Sequence, residues 1–164
     1  MDKTPLPIHV ELRQSRPFPT AAEAAAVGLL RTAEVIRWAA AASLGRHGLT
    51  YQQYNVLRIL RGARPEPLAT LEIASRMIES TPGITRLLDR REAQGLVRRK
   101  RCERDRRQVH CWITAAGLEL LAGLDQELNQ SHDAGFSELG ETDVRKLSEL
   151  LDRVRHSFRR AGVR

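Results

Sequence analysis

The chain has 164 residues, of which 41% are apolar and 29% charged, and a formal net charge of +7; its isoelectric point is near 10.4. That length can bury one core without requiring a second domain, and the basic balance points to a polyanionic partner. No apolar run reaches the length of a membrane span, the start Met1-Asp2-Lys3-Thr4-Pro5 lacks the regions of a signal peptide, and two cysteines without a CxxC fit a reducing compartment, so the expected location is cytoplasmic.

Residues 1–19 carry Pro5, Pro7, Pro17 and Pro19 without sustained periodicity and read as an N-terminal arm; residues 20–164 read as a single domain. Thr20 to Glu23 has the form of a capping box. Behind it Leu29, Ala33, Ile36, Ala40 and Leu44 recur on one face, predicting a long helix that ends between Gly45 and Gly48. Thr50 to Gln53 is a second capping-box pattern, opening a helix that stops at Gly62. After a polar loop with Pro65 and Pro67, Thr70 is expected to cap a helix whose inner face is Ile73, Ala74 and Met77.

A following helix is expected to open at Thr81-Pro82, with Thr81 as its cap and Pro82 in the first helical position, where a missing N–H costs nothing. Ile84, Leu87 and Leu88 then face inward and Gly95 supplies the stop, leaving Thr81, Gly83, Thr85, Arg86, Asp89 and Arg90 on the other face. Beyond it the ten residues Arg98 to Arg107 hold seven cationic and two anionic side chains, about five of the seven excess charges of the chain. The return segment 108–113 alternates, with Val109, Cys111 and Ile113 on one face and His110 and Trp112 on the other, and Thr114 caps the next helix. Two short helices running into an arginine-rich hairpin form the layout of a winged helix-turn-helix, a DNA-reading device. The side chains expected at DNA are Thr81, Pro82, Gly83, Thr85, Arg86, Arg90, Arg104, Arg106 and Arg107.

Leu118, Leu121, Leu124 and Leu128 mark a long helix, broken around Gly135 to Gly140. The last helix carries Val144, Leu147, Leu151, Val154 and Phe158 at three-four-three-four spacing, a heptad seam that suits either a second copy of the chain or packing within one copy. In a two-fold dimer the recognition helices would enter successive major grooves about 34 to 36 Å apart, on an inverted-repeat operator.

Together these residues resemble the MarR family of winged-helix transcriptional regulators. The resemblance rests on Leu49-Thr50 with Gln53 and Leu57, the run Thr81 to Arg90, the exit Gly95-Leu96-Val97, and Asp105-Arg106-Arg107 with Ile113-Thr114 and Gly117. One departure is Arg91, where the family usually has an apolar residue; either that end of the helix is exposed, or Arg91 pairs with a carboxylate such as Glu92 or Glu103.

The resemblance implies a mainly α fold with a small β-hairpin wing. Residues 20–48 and 115–161 would form dimerisation helices around a winged helix-turn-helix at 50–114. It implies that Arg107 reaches the minor groove, that Asp105 braces an arginine, and that the protein is a homodimer binding double-stranded DNA, more often as a repressor. Many relatives respond to small aromatic or phenolic ligands where the terminal helices meet the winged domain, and a pocket here could use Arg37, Trp38, His47 and Tyr54.

Two rivals remain at the sequence level. Cys102 lies among cations that would favour its thiolate and could make the regulator redox-responsive. A bridge to Cys111 is not expected, since the hairpin sets the two about 13 Å apart at ~3.3 Å per residue, against a limit of about 7 Å. A basic wing could also serve a non-specific architectural DNA binder. An enzyme is not expected: there is no GxSxG, GxxxxGK or HExxH, and His9, His47, His110, His132 and His156 are too scattered for a metal site or cofactor.

Overall fold

The computed structural model describes residues 4–79 and 82–163. Its elements, in chain order, are α1 (Ile8–Glu11), α2 (Ala21–Arg46), α3 (Tyr51–Gly62), β1 (Leu68–Ala69), α4 (Thr70–Arg76), α5 (Ile84–Ala93), β2 (Val97–Arg101), β3 (Val109–Ile113), α6 (Ala115–Gly135) and α7 (Glu141–Arg160). The chain divides into two compact units, 1–124 and 125–164, with the boundary inside α6.

Side-chain caps set several helix starts. The Thr20 hydroxyl accepts the Glu23 N–H at 3.1 Å, opening α2. At α3 the bonding is reciprocal, Gln53 N–H to Thr50 Oγ1 at 3.3 Å and Thr50 N–H to Gln53 Oε1 at 2.9 Å, so two otherwise orphaned donors are satisfied. Thr114 accepts the Gly117 N–H at 3.1 Å and donates its hydroxyl to the Gly95 carbonyl at 2.7 Å, which ties the start of α6 to the end of α5.

Two expected starts are corrected. Thr70 is the first residue of α4 and Ala69 holds the cap position; the Thr70 hydroxyl is turned to the sheet instead, donating to the Val109 carbonyl at 3.4 Å. The recognition helix α5 begins at Ile84, two residues later than expected, with Gly83 in the cap position at φ +82° and no side-chain cap bond. A left-handed residue at 83 interrupts any helical path through Pro82, which lies in the preceding turn. Thr81, the expected cap, lies outside the described residues.

The sheet is antiparallel with order β1-β3-β2. Leu68 pairs with Cys111 and Ala69 with His110; on the other side Val97 pairs with Ile113 and Arg101 with Val109. This register sets Cys102 opposite Gln108, so Cys102 and Cys111 are offset by three residues, about 10 Å. The core of the first unit is built from Leu44, Val56, Leu57, Leu60, Ile73, Leu88, Val97, Cys111, Leu121 and Leu124, all essentially without exposure. Each such side chain stabilises the fold by about 1.5–3 kcal/mol relative to an exposed one. Packing is closest at Gly117, where a Cβ would lie 2.5 Å from the Leu96 carbonyl oxygen and 2.7 Å from Ile113 Cγ1.

The N-terminal arm contains one helical turn, α1, which the Glu11–Arg31 ion pair at 2.8 Å fastens to α2. In the second unit α7 buries none of its residues, and Leu150, Val154 and Phe158 are exposed.

Candidate nucleic-acid interface

Burial of Ile84, Leu87 and Leu88 fixes which face of α5 meets solvent, and leaves Thr85, Arg86, Asp89 and Arg90 exposed. The exposed side chains divide between two clefts. Arg86 and Arg90 line a shallow one of about 240 Å³ with Pro82, Gly83, Thr50 and Gln52. There the Arg86 guanidinium packs 3.4 Å from the Cβ position that Gly83 lacks. Thr85 faces a larger cleft of about 550 Å³ between the helix pair and the wing, lined also by Thr70, Glu72, Arg99, Arg107 and Gln108. Thr85 of α5 and Arg107 of the wing tip are thus brought to one concavity, although they are 22 residues apart in sequence.

The wing is locked to α5 through Arg99. Its guanidinium bonds Asp89 Oδ1 at 2.5 Å and lies 3.1 Å from Glu92 Oε2, while its backbone N–H donates to Glu92 Oε1 at 3.0 Å. Sequence reasoning counted Arg99 with the other cations of the wing. The signal it missed is the pair of carboxylates three residues apart on the facing helix. Lys100 is likewise taken, by Glu103 at 2.7 Å, and that bond holds the Glu103 carboxyl below its usual range. Arg101, Arg104, Arg106 and Arg107 remain exposed, without an ion-pair partner among the described residues.

Asp105 shapes the tip. Its carboxylate accepts the Arg107 backbone N–H at 3.0 Å and the Gln108 side-chain amide at 3.1 Å, and its carbonyl accepts the Gln108 N–H at 2.9 Å. The brace to an arginine is made through the main chain of Arg107. A carboxylate closing a turn on the residue two positions ahead is an Asx turn, which leaves the arginine side chains free to reach outward.

Both expectations for Arg91 fail. The residue is 4% exposed, so it is not at a solvated helix end. Glu92 is engaged by Arg99 and Glu103 by Lys100, and Arg91 Nε has no hydrogen-bond partner among the described residues. Burial, and then the charge of Arg90, push its pKa down.

The four residues considered for a ligand pocket have different surroundings. Arg37, on α2, bonds Glu34 at 2.6 and 3.0 Å and Glu79 at 2.6 Å. The bond to Glu34, opposed by burial, and then the charges of Glu34 and Glu79 push its pKa up. Arg37 thereby ties α2 to the connection between α4 and α5, which is also held by the Ile78 N–H to Asn55 Oδ1 at 3.0 Å. Trp38 is exposed, with the Arg31 guanidinium 5.6 Å from its ring centroid. Tyr54 is in the core, its ring 6.3 Å from Tyr51 and beneath Arg58 at 5.7 Å. His47 is exposed at the C-terminal cap of α2.

Cys102 and Cys111 are both free. Cys102 is half-buried at the end of β2, and burial pushes the Cys111 thiol up, which keeps that one protonated and inert at neutral pH. The described residues contain no helix long and apolar enough to cross a membrane.

Comparison with known proteins places this geometry. A model of the MarR family matches residues 49–109. The transcriptional regulator MgrA of Staphylococcus aureus is 30% identical over 115 residues, covering 69% of this chain and 74% of its own. The crystal structure of a MarR transcription factor from Planctomyces limnophilus superposes with a TM-score of 0.64 at 36% identity, covering 83% of this chain and 98% of the other. The structure of NadR in complex with 4-hydroxyphenylacetate superposes with a TM-score of 0.69 at 26% identity, over 85% and 97% of the two chains.

Proposed function

Because the chain belongs to the MarR family of DNA-binding transcriptional regulators, we propose that it acts as a homodimer on an inverted-repeat operator, represses neighbouring genes, and is released by a small aromatic or phenolic ligand. One observation carries the DNA reading: α5 presents Thr85, Arg86 and Arg90 to solvent, and Arg99 bonds the arginine-tipped wing to that helix. Thr85 near the start of α5 suits a base edge in the major groove, and the tip arginines, which have no ion-pair partner among the described residues, suit phosphate or the minor groove. Dimerisation is supported by the exposed apolar seam of α7, which a second copy would cover.

For the ligand, Arg37 offers a mechanism. A carboxylate-bearing aromatic molecule that takes the Arg37 guanidinium from Glu79 would loosen the connection leading into the recognition helix. The 4-hydroxyphenylacetate in the NadR structure belongs to that chemical class.

The test is a pull-down of genomic fragments by the purified protein at moderate salt, followed by footprinting. A symmetric inverted repeat, preferred over random duplex by at least about a thousandfold, is expected; fragments enriched without a shared site would replace this reading with architectural binding. On the selected operator, Arg86→Ala should cost about 1–3 kcal/mol and act selectively on the operator. Arg107→Ala should weaken all duplexes and reduce the salt slope by about 1.

A further inference from the structure

The two faces of the β2–β3 hairpin carry different chemistry. Its inner face holds Cys111 and Ile113 in the core. The register pairs Arg98 with Trp112 and Lys100 with His110, which puts these four side chains together on the outer face. There the Arg98 guanidinium lies 4.5 Å from the centroid of Trp112, and His110 meets Trp112 edge-on at 6.1 Å. The cation–π contact holds the guanidinium against the sheet. Arg101 and Arg104 carry the cationic rim on toward the tip, around an open cleft of about 520 Å³. The one carboxylate in that lining, Glu103, is bonded to Lys100, so cationic side chains outnumber it four to one.

None of these side chains belongs to the concavity that α5 shares with the wing, where Thr85 and Arg107 stand. A duplex docked on α5 and touched by the wing tip would meet this face where it extends past the outer side of the hairpin. We propose that this outer face is a second phosphate-binding surface, gripping double-stranded DNA beyond the base pairs that α5 reads; the inference rests on the DNA-binding reading above. Three features favour duplex over other polyanions. The face is continuous with the tip arginines, it is open and not enclosed, and the Trp112 ring is already covered by Arg98, so it is not offered to an unpaired base.

The experiment compares two duplexes, one trimmed to the inverted repeat and one extended at both ends by unrelated sequence. Wild-type protein should bind the extended duplex about tenfold more tightly, with a salt dependence steeper by about 2 for each wing, since every neutralised phosphate adds about 0.9 to the slope. Two different extensions should serve equally well. Arg98→Gln with Lys100→Gln should abolish the gain and leave binding to the trimmed duplex unchanged, whereas Glu103→Gln, which releases Lys100, should enlarge the gain. Equal wild-type affinity for both duplexes overturns the proposal and leaves the face to an acidic protein surface. A double variant that weakens both duplexes alike overturns it too, because Arg98 and Lys100 would then act within the half-site. Failure of the wild type to bind the trimmed duplex would overturn the operator-docking reading itself.

Discussion

In α3 the apolar residues Val56, Leu57 and Leu60 are at most 2% exposed, whereas in α7 Val154 and Phe158, also set at helical spacing, remain 39% and 56% exposed. The same kind of pattern is satisfied in one element and unsatisfied in the other. The winged part of the chain closes its own core, from Leu44 to Leu124, and can be folded by its own sequence. An amphipathic helix that buries nothing lacks the tertiary packing that supplies most helical stability, so it gains from cover supplied by another surface. One region satisfies its apolar pattern from within, and the other leaves it exposed.

The largest expected effect breaks that contrast directly. Val154→Asp with Phe158→Asp should leave the helical content of the winged unit intact, turn a sedimenting dimer into a monomer, and cost operator affinity about a hundredfold by removing the second half-site. A dimer of unchanged mass in the double variant would show that the seam is not the interface. Next comes the self-contained core: Gly117→Ala places a methyl against the Leu96 carbonyl, a backbone atom that cannot turn aside, and should destabilise by about 2 kcal/mol in thermal unfolding. A smaller effect of opposite sign is expected at Arg91. Replacing this buried arginine, whose Nε has no hydrogen-bond partner among the described residues, by leucine should stabilise the protein by about 1–2 kcal/mol without altering operator affinity. Smallest is Asp89→Asn, which weakens a half-exposed ion pair to Arg99 and should cost about 0.5 kcal/mol by denaturant titration.

Legibility in the sequence followed the range of the interactions. The Thr50–Gln53 capping box, the Thr114 cap, the break after Gly135 and the alternation of β3 depend on neighbours within a few residues, and each stands where periodicity and capping rules place it. The missed features depend on distant partners. Strand β1 is two residues long and exists only because Leu68 and Ala69 meet Cys111 and His110. Thr70 gives its hydroxyl to a strand carbonyl 39 residues away, and the start of α5 is set by the left-handed Gly83, not by Pro82. At the site, exposure of Arg86 and Arg90 followed from helical period, but no local rule separates Arg99, which the fold consumes, from Arg106 or Arg107, which it leaves to solvent. Charge density identified the wing; pairing decided which of its charges are available.

In the proposed docking, the Arg99 tether also couples the two parts that would read one half-site. With its guanidinium and its backbone N–H both bonded to carboxylates of α5, Arg99 biases the wing toward one position against the helix. On the proposed docking, the distance between the part of the DNA met by the helix and the part met by the tip would then favour one value. An operator lengthened by one base pair inside a half-site would bind more weakly, while variation between half-sites would fall to whatever joins the two copies.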